Sequence, residues 1–149
     1  MPGAEHSIEV DVTPEQFWEV ISDYPRLPEY IPEIEAIQVE QWDGHVAVVD
    51  YTTHMVRRIH YTLELTHHSK RDVRFRLLKS DFLKDVQGFW RLVDLPTGRT
   101  RATYHIEISV GRLVPRALLD GIQRRTLPRM LRRFKERAEA VVRAGEGPA

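Results

Sequence analysis

The sequence predicts an α+β fold in which a curved antiparallel sheet of about seven strands wraps around a long C-terminal helix. Three features support this prediction: one strand followed by short helical segments, an unbroken series of further strands, and a long amphipathic segment at the end. Because helix and strands occupy separate stretches of sequence, the long helix must cover the inward face of the sheet. The 149 residues are expected to form a single domain, residues 1–149.

The first elements are a strand and two short helical segments. Apolar and acidic residues alternate in HSIEVDV, which is the period of a strand covered on one face. Thr13 can cap a helix over about residues 14–22, and Pro25 ends that helix because the residue before a proline avoids the α region. The proline-broken stretch SDYPRLPEYIP follows. We expect it to close one end of a space between sheet and helix, with Leu27 and Tyr30 at the mouth.

Six further strands are predicted as an antiparallel series. Asp43-Gly44 is a two-residue turn of the kind that closes a tight hairpin. This turn would pair Ile37 with Asp50 and would place Asp50 on the same face as Val48, which we expect to point inward. The six predicted strands are Ile34–Trp42, His45–Thr53, Arg58–Thr66, Asp72–Leu78, Val86–Leu95 and Arg99–Val110.

The last two strands form a second hairpin around Pro96-Thr97-Gly98, in which the glycine can take a left-handed conformation. This turn places Trp90 opposite Tyr104. The residues that then share the inward face are Gly88, Trp90, Leu92, Ala102, Tyr104, Ile106 and Ile108.

A long helix is predicted from about Pro115 to Arg143. Gly121 and Pro128 interrupt it, so we expect a bend there, because proline removes a backbone donor. Counted at about 100° per residue, one face carries an apolar stripe. The stripe consists of Leu119, Ile122, Thr126, Met130, Phe134 and Val141.

Composition excludes several kinds of site. The chain has no cysteine, so disulfides, thiolate zinc sites and a cysteine nucleophile are excluded. The histidines show no zinc-site spacing, and neither a glycine-rich phosphate loop nor a nucleophile elbow is present. We therefore expect neither a metal nor a cofactor. The N-terminus lacks a signal-peptide pattern and no segment has the apolar length of a membrane span, so a cytoplasmic protein is the expectation.

The charges are distributed unevenly along the chain. Residues 1–50 hold twelve acids and one base, a net charge of −11, and residues 51–149 hold a net charge of +11. The predicted last helix carries a basic face, which could be a solvated surface that balances the acidic half, a docking surface for anionic membrane, or a nucleic-acid surface. The last is disfavoured, because the aromatic residues lie on the predicted inner face and do not alternate with the basic ones. The basic face contains Arg124, Arg125, Arg129, Arg132, Lys135 and Arg143.

Three segments together carry a family resemblance: VTPEQFWEVISDYPRLPEYIPEIEAIQV, FLKDVQGFWRL with its Gly88-Phe89-Trp90, and LPRMLRRFKERAEA. They resemble the START-like (SRPBCC, helix-grip) superfamily, in its branch of coenzyme-Q-binding proteins and polyketide cyclase/dehydrases. The resemblance implies a helix-grip fold with a hydrophobic cavity for a lipid, a quinone or a polyketide-like molecule. These segments are features of the scaffold, and they do not identify the ligand.

The resemblance suggests which apolar and amphipathic residues bind the ligand. Aromatic side chains bury a large area and keep one polar tip, as a mostly apolar pocket requires. The alternative is that the same residues form an ordinary core. The candidate ligand-binding residues are Leu27, Tyr30, Tyr61, Trp90, Leu92, Tyr104, Ile106, Leu119, Ile122, Thr126, Met130 and Phe134.

Two functions follow, and they belong to different classes. The first is a non-enzymatic carrier or chaperone for a hydrophobic small molecule. The second is a polyketide cyclase, aromatase or dehydratase that uses Asp50 and His54 as an acid/base pair, provided that their strand face points inward. If the strand pairing is shifted or ends early, both side chains lie in water instead. The oligomeric state cannot be predicted from these patterns.

Overall fold

A seven-stranded antiparallel sheet forms one layer of the molecule. The computed structural model describes residues 3–54, 57–112 and 114–145, apart from the side chains of residues 122 and 123. The strand order is β1-β7-β6-β5-β4-β3-β2, as the predicted series of hairpins requires. The strands are β1 (Gly3–Val10), β2 (Ile34–Trp42), β3 (Val46–His54), β4 (Arg58–Ser69), β5 (Asp72–Ser80), β6 (Leu83–Leu95) and β7 (Arg99–Val110).

The helices form the second layer and one end of the molecule, so the predicted α+β class is confirmed. None of the described helices is long and apolar enough to cross a membrane. The helical elements are α1 (Pro14–Ile21), 3₁₀ helices at Tyr24–Glu29 and Pro96–Gly98, α2 (Arg116–Gly121), a π-helical turn at Ile122–Thr126, and α3 (Leu127–Gly145).

The start of α1 is fixed by a capping box. The Gln16 amide donates to Thr13 Oγ1 at 3.2 Å, and the Thr13 amide donates to Gln16 Oε1 at 2.9 Å. Two backbone donors that the helix cannot satisfy are therefore paired. Phe17, Val20 and Ile21 are buried on the inner face of the helix, as predicted.

The β6–β7 hairpin has the predicted register, with Trp90 opposite Tyr104. Gly88 is essential to it, because a Cβ at this position would lie 2.1 Å from the His105 carbonyl oxygen and 2.6 Å from Phe75 Cζ. The missing side chain leaves room for the Phe75 ring, which stacks on Tyr104 with ring centroids 5.6 Å apart. The glycine therefore positions the Phe75–Tyr104 ring pair.

The β2–β3 hairpin differs from the prediction. Trp42 pairs with Ala47, and Asp50 pairs with Gln38 where Ile37 was expected. The connection is longer than two residues, because the Asp43 carboxylate accepts hydrogen bonds from the His45 and Val46 amides and so stabilises a wider turn. This change of register moves Asp50 to the outer face of the sheet.

The C-terminal helical region is divided by the π-helical turn at Ile122–Thr126. Pro128 is the second residue of α3, but α3 continues the π-helical turn without a break, so the missing N–H of Pro128 falls inside a helical run, where the sequence predicted an interruption. The side chains that α3 buries are Leu127, Leu131, Phe134 and Ala138. Val141, predicted in the apolar stripe, is 48% exposed. It lies on the same face as Phe134, seven residues further along, but beyond Ala138, the last residue that α3 buries in the described part of the chain.

Ion pairs connect the acidic and basic halves of the chain. They join residues of the first fifty positions to β4, β7, α3 and the β4–β5 turn. These pairs are Arg58–Glu35, Arg71–Glu15, Arg99–Glu9, Arg101–Glu9, Arg133–Glu33 and Arg137–Glu29. Much of the sequence-level polarity is therefore neutralised in the fold, although each exposed pair contributes little stability.

Candidate functional site

A cavity lies between the inward face of the sheet and the C-terminal helical region. Its volume is about 160 Å³, counted as the space that the centre of a water-sized sphere can occupy. A single water needs roughly 10–15 Å³ by this measure, so the space exceeds a packing defect. Most of the lining is aliphatic or aromatic, with side chains from the 3₁₀ helix, strands β3 to β7 and the helices α2 and α3.

Most of the predicted ligand-binding residues line this cavity. Ile122 cannot be assessed, because its side chain lies outside the described residues. Leu92 is buried but is not part of the cavity wall. Tyr30 lies in a groove beside α3, where its ring meets Phe134 with centroids 5.6 Å apart. The predicted residues in the wall are Leu27, Tyr61, Trp90, Tyr104, Ile106, Leu119, Thr126, Met130 and Phe134.

Trp90 is the centre of the aromatic wall. Its ring centroid lies 4.8 Å from that of Tyr104, 5.2 Å from that of Phe134 and 5.7 Å from that of Phe17, each in an edge-to-face arrangement. Such contacts stabilise aromatic clusters beyond simple area burial. Trp90 thereby links the sheet to both α1 and α3.

One polar part of the wall is formed by Thr53 on β3 and Tyr61 on β4, near the β3–β4 loop. Thr53 Oγ1 is buried and has no hydrogen-bond partner among the described residues. Burial raises the pKa of the neighbouring Tyr61 to about 12, while proximity to Thr53 lowers it by a smaller amount. The two hydroxyls approach each other without good hydrogen-bond geometry. A polar atom of a bound ligand would supply the hydrogen-bond partner that Thr53 Oγ1 lacks among the described residues.

A second polar point lies at the other end of β4. His67 is buried, lines the cavity and makes two side-chain hydrogen bonds: Trp18 Nε1 donates to its Nδ1 at 3.0 Å, and its Nε2 lies 2.8 Å from Tyr24 Oη. Burial, with a smaller contribution from His45, lowers the pKa of His67 to about 4. Burial also raises the pKa of Tyr24. Both groups are therefore neutral near pH 7.

His67 was not predicted as a wall residue, although the strand period contains the signal. Tyr61, Leu63 and Leu65 alternate along β4, and His67 continues the same face by two residues. The adjacent basic turn suggested a strand end that is open to solvent. In the structure β4 continues to Ser69, and Trp18 and Trp42 cover the histidine ring.

Two charged residues of the wall were also missed. Arg57 lies over the Phe82 ring, 4.5 Å from its centroid, and Glu33 accepts a hydrogen bond from Arg133 at 2.9 Å. Both contribute to the lining where β3 and β4 meet the β3–β4 loop. A charged rim of this kind is typical of the mouth of an apolar pocket, because its side chains can stay hydrated.

The proposed acid/base pair does not face the cavity. Asp50 lies on the outer face of β3, where it accepts a hydrogen bond from Thr62 Oγ1, and His54 is exposed at the end of the strand. A proton shared with the Glu40 carboxyl group, and then the hydrogen bond from Thr62, lower the pKa of Asp50. The expectation that this face points inward was wrong, because the wider β2–β3 turn shifts the register.

No group of three or more histidine, aspartate or glutamate side chains able to hold a metal occurs among the described residues. The wall instead offers a mostly apolar surface with a few neutral hydrogen-bonding groups, and with Arg57 and Glu33 near the β3–β4 loop. Such a surface can hold an apolar molecule and orient it by one or two polar contacts.

Comparison with known proteins places this geometry in a wider group. The sequence profile described as polyketide cyclase/dehydrase and lipid transport matches residues 10–135. No curated protein sequence matches the chain. Among solved structures, the Zhui aromatase/cyclase from Streptomyces sp. R1128 is 19% identical, with a TM-score of 0.86 over 99% of both chains.

Two further structures have the same architecture. The protein TTHA0849 from Thermus thermophilus is 18% identical, with a TM-score of 0.84 over 94% of this chain and 99% of its own. A START superfamily protein from Mycobacterium smegmatis is 14% identical, with a TM-score of 0.82 over 93% and 98%. At these identities the structural likeness establishes the helix-grip fold. It does not transfer the function of any of these proteins to this chain.

Proposed function

The chain belongs to the polyketide cyclase/dehydrase and lipid transport family, and from this premise we propose that it binds a hydrophobic small molecule in the cavity. Family members bind hydrophobic ligands. The finer part of the proposal is that this protein acts as a carrier or chaperone for a lipid, a quinone such as coenzyme Q, or a polyketide-like molecule.

The observation that supports the proposal is the apolar cavity behind Trp90. An aromatic ring system removes roughly 150–250 Å² from water when it is buried. At about 25 cal/mol per Å², this contributes about 4–6 kcal/mol before the costs of association are subtracted. Because the wall holds few polar groups, apolar burial would supply most of the affinity.

A second candidate function is cyclisation or dehydration of a polyketide-like substrate. It is favoured by buried phenols in the wall, since Tyr51, Tyr61 and Tyr104 all line the cavity. Neutral hydroxyl donors can stabilise the negative charge that develops on an enolate oxygen. Asp50 and His54 would have no part in such a mechanism, because they lie outside the cavity.

We also propose that the protein docks peripherally on anionic membrane from a cytoplasmic location. Arg124, Arg125, Arg129 and Arg132 are exposed and make no ion pair within the described part of the chain. The same helical region supplies Leu119 and other residues to the cavity wall. A basic surface beside the cavity would bring it close to lipid, because anionic membranes attract arginine and lysine.

The test of ligand binding compares two tryptophan substitutions on α3. Met130→Trp should fill part of the cavity and weaken binding of the neutral fluorescent probe N-phenyl-1-naphthylamine at least tenfold. Val141→Trp is the matched control, since Val141 is exposed and does not line the cavity. Fluorescence titration measures both. Absence of probe binding to the unmodified protein, together with preparations that yield no lipid or quinone by mass spectrometry, would overturn the proposal.

A further inference from the structure

We propose that Tyr24 is a directed hydrogen-bond donor, held in place by His67 and Trp18, which selects a ligand with a neutral carbonyl oxygen. This inference rests on the proposed function and specifies the class of ligand: a ketone, quinone or ester group attached to an apolar body. From the sequence, Tyr24 was expected only as part of the stretch at the lip of the cavity, and His67 was not expected in the wall.

The hydrogen bond from Trp18 determines the tautomer of His67. Trp18 Nε1 lies 3.0 Å from His67 Nδ1, and an indole nitrogen can only donate. Nδ1 must therefore accept. Since burial keeps the ring neutral near pH 7, the proton of the imidazole is on Nε2.

That proton fixes the direction of the next hydrogen bond. His67 Nε2 lies 2.8 Å from Tyr24 Oη, so the histidine donates and the phenol oxygen accepts. The hydroxyl proton of Tyr24 then remains available to a further acceptor. Among the described residues, the bond to His67 is the hydrogen bond that the Tyr24 side chain makes.

The free hydroxyl proton lies next to the cavity. Tyr24 and His67 both line it, and Tyr24 is close enough to Tyr51 to influence the pKa of that phenol in the interior. Donation from His67 polarises the Tyr24 hydroxyl and makes it a better donor, because hydrogen bonds in chains strengthen one another. An oxygen atom of a bound ligand would be the acceptor that the Tyr24 hydroxyl proton lacks among the described residues.

The surroundings favour a neutral acceptor over an ionised one. The two charged residues of the wall, Arg57 and Glu33, lie near the β3–β4 loop, and His67 lies at the opposite end of β4. A carboxylate placed beside Tyr24 would therefore lose its hydration without gaining a cation. A carbonyl group loses far less, and one hydroxyl donor satisfies it.

The test uses two neutral naphthalene probes of similar shape. One is 6-(dimethylamino)-2-propionylnaphthalene, which carries a ketone, and the other is its 2-propyl analogue, which does not. Tyr24→Phe should lower the ratio of ketone affinity to analogue affinity two- to tenfold, which is the range for one hydrogen bond. Emission of the bound ketone should shift to shorter wavelength, since its carbonyl loses a donor.

Tyr30→Phe is the matched control, because it removes a phenol from the same stretch of chain but outside the cavity, where Tyr30 Oη lies 3.5 Å from the Val20 carbonyl. It should change neither the ratio nor the emission. For His67 as a positioning residue, His67→Leu should shift the emission as Tyr24→Phe does, and His67→Gln should restore part of the original emission.

The outcomes separate this inference from the proposed function. If both probes bind and Tyr24→Phe leaves their affinity ratio and the ketone emission unchanged, the role of Tyr24 is overturned while ligand binding stands. If neither probe binds the unmodified protein, both proposals fall.

Discussion

The two ends of the cavity differ in their polar chemistry. At the end that the 3₁₀ helix Tyr24–Glu29 covers, called the closed end, Trp18, His67 and Tyr24 form a chain of neutral hydrogen bonds among aromatic rings. At the loop end, Thr53 has a buried hydroxyl without a partner among the described residues, and Arg57 and Glu33 bring charge to the wall.

From this difference we infer separate roles for the two ends in ligand binding. A preorganised donor with a fixed direction can discriminate between ligands, because its geometry costs nothing further at the moment of binding. Charged side chains at a rim interact with water and with approaching molecules. We infer that the closed end determines which ligand is held, and that the loop end determines how it enters and leaves.

The largest expected effect concerns the closed end and is a loss of stability in mild acid. His67 has a folded-state pKa of about 4, below the ordinary value of 6.5. Between pH 6.5 and pH 4 the His67 side chain is protonated in the unfolded chain and neutral in the folded protein. The free energy of unfolding therefore falls as the pH decreases through this range. The free energy of unfolding should drop by about 3 kcal/mol, at 1.36 kcal/mol per pKa unit.

Urea denaturation at a series of pH values measures this drop, and His67→Gln is the comparison. The variant should be nearly insensitive to pH over the same range. Carboxylates with lowered pKa, such as Glu35 and Asp94, lose their contribution at lower pH and affect both proteins alike. Parallel curves for the two proteins would show that His67 is not the titrating group.

The second expected effect concerns the basic surface beside the cavity. Replacing Arg129 and Arg132 by glutamine should weaken binding to vesicles that contain phosphatidylserine by about 2 kcal/mol at low salt, since each basic residue contributes about 1 kcal/mol near such a membrane. The control variant, Arg99→Gln with Arg101→Gln, removes the same charge beside Glu9 on another face. Vesicle co-sedimentation that is equal for both variants would contradict a specific docking surface.

Much of the fold could be predicted from the sequence because its signals are local. The capping box of α1 and the Pro96–Gly98 turn both depend on neighbouring residues, and each fixed its element correctly. The register of β2 and β3 could not be predicted in this way, because the Asp43 carboxylate stabilises a wider turn than Asp43-Gly44 suggests.

The site was predictable where residues alternate on one strand, and much less so where distant segments meet. Trp90 and Tyr104 followed from strand period and hairpin register. The hydrogen bonds of His67 join residues forty-three and forty-nine positions apart, and no local pattern indicates such contacts. The exposure of Val141 also escaped prediction, because helical periodicity continues along α3 and does not show where the helix stops facing the core.

The smallest expected effect compares two buried threonines on neighbouring strands. Thr53→Val at the loop end should raise the free energy of unfolding by about 1 kcal/mol, because it removes a buried hydroxyl that lacks a partner among the described residues. Thr62→Val should lower it by about 1 kcal/mol or more, because Thr62 donates to the Asp50 carboxylate. Urea denaturation without ligand measures both. Destabilisation by Thr53→Val would mean that its hydroxyl is satisfied in the empty protein, and the loop end would then have no unpaired group to offer a guest.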